Sequence, residues 1–185
     1  MKNTMLQKID NPVSEVRTLR IAGIVRESIV DGNGIRFTVF CQGCPHHCPG
    51  CHNPQTHPFD GGSLVTIDRI AQEIGKNPLL QGVTFSGGEP FCQAGAFAGL
   101  AKMVHDMPGN LDVTCYSGWT YEQLVEKAEK EPDVASLLQE CDYLVDGPFI
   151  LAERDLTLRF RGSKNQRFLD LKKSRLAGIA VAADE

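Results

Sequence analysis

Four of the chain's seven cysteines crowd into one stretch, FCQGCPHHCPGCHNP, at Cys41, Cys44, Cys48 and Cys51. Whatever fold forms must bring a loop of thiols to one place. Two, three and two intervening residues let several thiolates converge on a small object, and a soft metal or an iron–sulfur cluster is the natural occupant. A disulfide framework fits poorly. The count is odd, the cysteines are bunched, and the opening MKNTMLQKIDNP lacks the apolar stretch of a secretory signal. Zinc stays open, because four-cysteine zinc sites are common and His46, His47 and His52 lie nearby. Such sites usually join a CxxC to a second, distant pair, whereas Cys92, Cys115 and Cys141 are isolated. Structural or redox-active thiols are the third reading.

With 185 residues, 42% of them hydrophobic and 23% charged, the chain has the composition of one ordinary globular domain. The expected division is a polar lead-in over residues 1–18 and a single domain over 19–185. A net charge of −4 counts against non-specific binding to nucleic acid or to an anionic membrane. No apolar run approaches the roughly 20 residues of a spanning helix. A cytoplasmic location is expected.

Leu19–Val30 alternates as a strand would, DGNGIR supplies a tight turn, and Ile35–Phe40 reads as a buried strand that stops where the cysteines begin. From Thr66, the spacing of Ile67, Ile70, Ala71 and Ile74 predicts an amphipathic helix. Gly82–Ser86, Leu111–Ser117 and Asp142–Gly147 read as strands. Between them, Phe97, Leu100, Ala101 and Val104 mark a helical stripe, Thr120 and Gln123 form a capping box, and Pro132–Glu140 is a short helix. Shorter pieces are expected around Leu156–Phe160 and Arg167–Leu171. This alternation argues for βαβ units and a mostly parallel sheet. The polar glycine motifs follow strand ends, the edge where parallel α/β folds bind ligands.

The C-x3-C-x2-C spacing of Cys44, Cys48 and Cys51 resembles that of the radical S-adenosylmethionine (SAM) superfamily. DGNGIRFTVFCQGC is similar to the lead-in of activating enzymes for glycyl-radical enzymes. CPGCHNP, SGGEP, YSGWTYEQL, DYLVDGPF and FRGSKNQR look like the branch that activates anaerobic ribonucleoside-triphosphate reductase. The resemblance implies an α/β fold, a partial (β/α) barrel of the radical SAM type, with a [4Fe–4S] cluster and SAM as cofactors. The implied reaction is reductive cleavage of SAM at the cluster. The 5′-deoxyadenosyl radical then takes hydrogen from a glycine of the reductase large subunit, with flavodoxin or a similar one-electron donor as second partner. Another glycyl-radical enzyme as target, and a non-catalytic zinc-stabilised module, are the alternatives.

Carried over by position, Cys44, Cys48 and Cys51 would each ligate one iron and leave a fourth iron open for SAM, with Cys41 a spectator. Gly87, Gly88 and Glu89 of SGGEP would line the methionine part of SAM. Glu89 either accepts from its ammonium or caps the following helix. Ser117, Asp146 and Asn53 would also lie at the cofactor, and Asp31 and Arg36 would hold the partner's glycine loop. FRGSKNQR would either close the barrel or dock the reductase. No side chain is assigned as a general acid or base. Gly50 departs from the aromatic residue that many radical SAM enzymes carry beside the last cysteine.

Overall fold

The computed structural model describes residues 17–184. Of the expected lead-in, residues 1–16 lie outside the described residues, and Thr18 already opens the first strand. Seven strands form one sheet: β1 (Thr18–Ser28), β2 (Arg36–Cys41), β3 (Ser63–Thr66), β4 (Gly82–Gly87), β5 (Asp112–Tyr116), β6 (Tyr143–Asp146) and β7 (Arg167–Asp170). Their spatial order is β3-β1-β2-β4-β5-β6-β7. The helices are α1 (Ile67–Ile74), α2 (Ala94–His105), α3 (Tyr121–Ala128), α4 (Pro132–Glu140) and α5 (Leu171–Ala177).

Strands β2, β4, β5 and β6 run parallel, joined by crossovers that carry α1, α2 and the α3–α4 pair. The expected parallel sheet is therefore its centre. The flanks are antiparallel, because β1 turns back on β2, β3 pairs β1, and β7 pairs β6. The sheet does not close, so the architecture is a partial (β/α) barrel. Strand β3 was not foreseen: four residues, half of them exposed, give too short an alternation to read. The piece expected at Leu156–Phe160 is a turn with no strand pairing.

Local chemistry explains the helix starts. The Thr66 hydroxyl accepts from the Arg69 amide and caps α1. Thr120 and Gln123 complete the reciprocal capping box of α3. Pro132 opens α4, where its missing N–H has no helical partner to lose. Ile67, Ile70, Ala71 and Ile74 all face the core, as their spacing predicts.

Alternation on the central strands sorts side chains onto two faces. Phe37 and Val39, Val83 and Phe85, and Val113 and Cys115 join the core with α1, α2 and α4. On the other face Thr38, Thr84 and Thr114 stand abreast in register. Arg36 runs beneath this row with a side chain only 1% exposed. Its Nε donates to Thr84 Oγ1 at 2.7 Å. Its Nη2 reaches the Val83 carbonyl at 2.8 Å, Thr114 Oγ1 at 3.0 Å and Asp112 Oδ1 at 2.6 Å, while Nη1 reaches the Asn33 carbonyl at 3.1 Å. Arg36, expected to meet a partner's glycine loop, instead cross-links β2, β4 and β5 from inside the protein.

A buried guanidinium with this many partners cannot be removed without stranding them. Arg36→Met should lower the unfolding free energy measured in urea by about 3 kcal/mol. A loss below about 1 kcal/mol would show that the network contributes little beyond packing.

Candidate cofactor site

The cysteine loop leaves the end of β2 and is stitched to the sheet at its base. The Gly43 amide donates to the Thr56 carbonyl at 2.7 Å, and the Cys44 amide to the His57 carbonyl at 3.1 Å. From β4, the Gly88 amide donates to the Cys41 carbonyl and the Glu89 amide to the Gly43 carbonyl, both at 2.8 Å. These bonds follow from register, because Cys41 lies directly beside Gly87 across the β2–β4 ladder. A Cβ on Gly88 would stand 2.4 Å from the Gly43 carbonyl oxygen, so only glycine admits this approach. Beyond the base, His47 and Gly50 adopt positive φ and fold the loop back on itself.

A cavity of about 480 Å³ opens at the carboxyl ends of the parallel strands. That volume suits a cofactor site. Cys44, Cys48 and Cys51 line it together with Gly87, Gly88, Ser117, Asn53 and Asp31. Val25, Phe40 and Phe149 contribute apolar wall. Asp31 also anchors the turn before β2, its Oδ2 accepting from Ser28 Oγ and from Thr38 Oγ1 at 3.1 Å. Cys41 is elsewhere. It is fully buried in the hydrophobic core, where Gln93 Nε2 lies 3.1 Å from its sulfur and burial pushes its thiol pKa up strongly. Burial also raises the Cys44 thiol, partly offset by the His46 backbone N–H. The Cys51 sulfur accepts from the Asn53 amide at 3.4 Å.

Asp146, expected at the cofactor, is committed to the protein instead, and of the two roles expected for Glu89 the structure shows the cap. Asp146 is 1% exposed and does not line the cavity. Its carboxylate accepts from the Tyr121 amide at the start of α3 and is gripped by Arg167, which also pairs with Glu122 at 2.8 Å. Arg167 holds the Glu122 carboxyl down to about 2. Glu89 is wholly buried behind the cavity wall and caps the 3-10 turn Pro90–Gln93 by accepting from the Phe91 amide at 3.1 Å.

Sequence reasoning singled out FRGSKNQR, to close the barrel or dock the reductase, but missed His57 and Phe149 in the enclosure. His57, Phe149, Gly162 and Gln166 are all wall residues. Segment 147–166 folds over the side of the site and knits itself there. Gln166 accepts from the Gly162 and Ser163 amides and donates to the Gly147 carbonyl, and Asn165 donates to the Pro148 carbonyl. Phe149 packs on His52 with ring centroids 4.9 Å apart, and the Tyr116 hydroxyl donates to the Phe160 carbonyl at 2.7 Å. The polar composition of SKNQ was the available signal, since such side chains commonly satisfy loop backbone.

All seven cysteines are free thiols. Among the described residues, no three Cys, His, Asp or Glu side chains stand close enough together to hold a single ion. Cys44, Cys48 and Cys51 line one cavity, and a multi-iron cluster takes one thiolate per iron. The residues present fit a [4Fe–4S] cluster, with Cys44, Cys48 and Cys51 as the donors available to it.

This donor set defines a single-cluster iron–sulfur protein, and residues 30–169 match the family model described as a 4Fe-4S single cluster domain. The anaerobic ribonucleoside-triphosphate reductase-activating protein of Vibrio cholerae serotype O1 is 33% identical over 144 residues, covering 75% of this chain and 89% of that protein. Its namesake from Escherichia coli K12 is 32% identical over 146 residues, covering 75% and 90%. A pyruvate formate-lyase-activating enzyme from Clostridium pasteurianum is 32% identical over 117 residues, 60% of this chain and 49% of that enzyme. The chain belongs to the family of anaerobic ribonucleoside-triphosphate reductase-activating proteins.

The close approach at Gly88 has a direct consequence. Gly88→Ala must push the cysteine loop off β4, because the obstacle is backbone and cannot rotate away. The variant should keep its far-ultraviolet circular dichroism yet lose most of its iron after anaerobic reconstitution. Iron at the wild-type level would contradict this.

Proposed function

We propose that this chain activates anaerobic ribonucleoside-triphosphate reductase by generating a glycyl radical on its large subunit. Cys44, Cys48 and Cys51 hold the [4Fe–4S] cluster in the cavity at the strand ends. When bound, the cluster and SAM would supply the one-electron and radical chemistry that glycyl-radical formation requires. The protein's part is to bind, orient and shield. The Gly87–Gly88 backbone offers a surface without side chains against which the methionine portion of SAM lies, and Ser117 and Asn53 add polar contacts from the neighbouring wall. Val25, Phe40 and Phe149 supply apolar wall that limits access of solvent and of competing C–H or S–H hydrogen-atom donors to the site. Asp31 lies on the cavity wall, and its proposed role is to meet the partner's glycine loop. Arg36 and Asp146 support the scaffold.

One observation carries this reading: three loop thiols and two strand-end glycines share a cavity while the fourth loop cysteine faces the core. That arrangement leaves a cluster one thiolate short, which a catalytic cluster requires and a simple electron carrier does not. Flavodoxin or a comparable one-electron carrier is the proposed donor. The proposed location is cytoplasmic, in keeping with the absence, among the described residues, of a helix long and apolar enough to cross a membrane. The net charge of −4 weighs against nucleic acid and anionic membranes as partners.

Alanine at Cys44, Cys48 or Cys51 should abolish reductant-dependent formation of 5′-deoxyadenosine, whereas Cys41→Ala should retain much of it. With the reductase large subunit present, the wild-type chain should produce a glycyl radical signal by electron paramagnetic resonance (EPR) on that subunit. Zinc without iron in anaerobically prepared protein would overturn the reading. A radical formed only on a different glycyl-radical enzyme would redirect it to another target.

A further inference from the structure

The glutamate of SGGEP is wholly buried and forms no part of the cavity wall. Its Oε2 lies 2.7 Å from His46 Nε2, 3.0 Å from Ser117 Oγ and 2.9 Å from the Gly118 amide, and its Oε1 accepts from the Phe91 amide at 3.1 Å. Three donors therefore gather on Oε2 and one on Oε1, all of them supplied by the protein. Buried and off the cavity wall, the carboxylate does not face a ligand ammonium in the cavity.

His46 is the informative partner. It lies between Cys44 and Cys48, and with a carboxylate as acceptor its Nε2 must carry the hydrogen. Among the described residues, this is the only hydrogen bond joining the segment between Cys44 and Cys51 to another element. The imidazole is also wedged in place. Its edge meets Trp119 with centroids 4.6 Å apart at 73°, and a Cβ on Gly118 would stand 2.4 Å from its Cδ2. Lys127 Nζ sits 4.8 Å from the centre of the Trp119 ring and backs it from α3. The chain Glu89–His46 therefore joins the ends of β4 and β5 to the middle of the iron-binding loop.

We infer that Glu89 is a positioning residue: through His46 it fixes the loop that sets Cys44 and Cys48 apart, rather than contacting SAM. This rests on Cys44, Cys48 and Cys51 holding the cluster. Charge-assisted hydrogen bonds to a buried carboxylate are among the stronger polar contacts in proteins, so the loop's geometry depends on this one. The role is to hold a distance, and its loss should register at the iron before it registers at SAM.

The test is a double-mutant cycle on anaerobically reconstituted protein, using Glu89→Gln, His46→Ala and the double variant. Three quantities are read: the rate of iron release to a chelator, the EPR spectrum of the reduced cluster, and the SAM dissociation constant. Each single variant should release iron about tenfold faster, with the same altered spectrum, and the double variant no faster than either. Any weakening of SAM binding should be equal in the two single variants. His46→Gln, which keeps a donor, should restore slow release where His46→Ala does not. These His46 variants keep the test open even if Glu89→Gln folds poorly, because His46 has a 15% exposed side chain and Glu89 retains its other donors. Multiplying effects on iron release, or SAM binding weakened only by Glu89→Gln, would overturn the inference while leaving the cluster assignment standing. A wild-type chain that takes up no iron and sulfide would overturn both.

Discussion

Parallel pairing of β2, β4, β5 and β6 sends whatever follows each strand to the same edge of the sheet, and every part of the site is built on that constraint. Register makes it specific. Cys41 beside Gly87 brings the cysteine loop against SGGEP, and Tyr116 beside Val145 brings YSGW against the segment after β6. Two backbone bonds from Gly88 and Glu89 seat the first residues of the cysteine loop, and two more from Thr56 and His57 return its end.

Alternation along the same strands decides which thiols can take part. Cys41 closes β2 on the core side, where it packs as a small apolar residue. Cys44 comes after the strand has ended and is free to turn into the cavity. Polar groups at opposite ends of the strands complete the scaffold. Arg36 lies under the threonine row near the amino ends, and Glu89 lies behind the cavity at the carboxyl ends. Each is fully buried and each is hydrogen-bonded by several partners from other segments, the condition under which buried charge is tolerated. The antiparallel flanks leave the cavity bordered by a turn at Asp31 on one side and by segment 147–166 on the other.

Much of this was legible in the sequence because the signals are local. Helix α1 shows in four apolar positions, α3 in its capping box, and the cysteine loop in its spacing. Strand β3 was not legible, since SLVT is short and half exposed, and its strand character comes from pairing with β1. Arg36 and Asp146 were misplaced for a related reason. A charged residue beside a glycine turn looks solvated in a sequence, and only the register shows that the acceptors and donors around it arrive from strands and helices far along the chain. His46 escaped as a positioning candidate because its partner is 43 residues away. What sequence shows least well is which charges are buried, because burial is a property of the assembled sheet.

The central claim is that three loop thiols leave a cluster with one iron open at the strand-end cavity. Mössbauer spectroscopy on protein reconstituted with isotopically enriched iron tests it directly. Addition of SAM should change the isomer shift of a single iron site, and Cys41→Ala should behave as the wild type does. Iron sites that stay equivalent and unmoved by SAM would contradict the account.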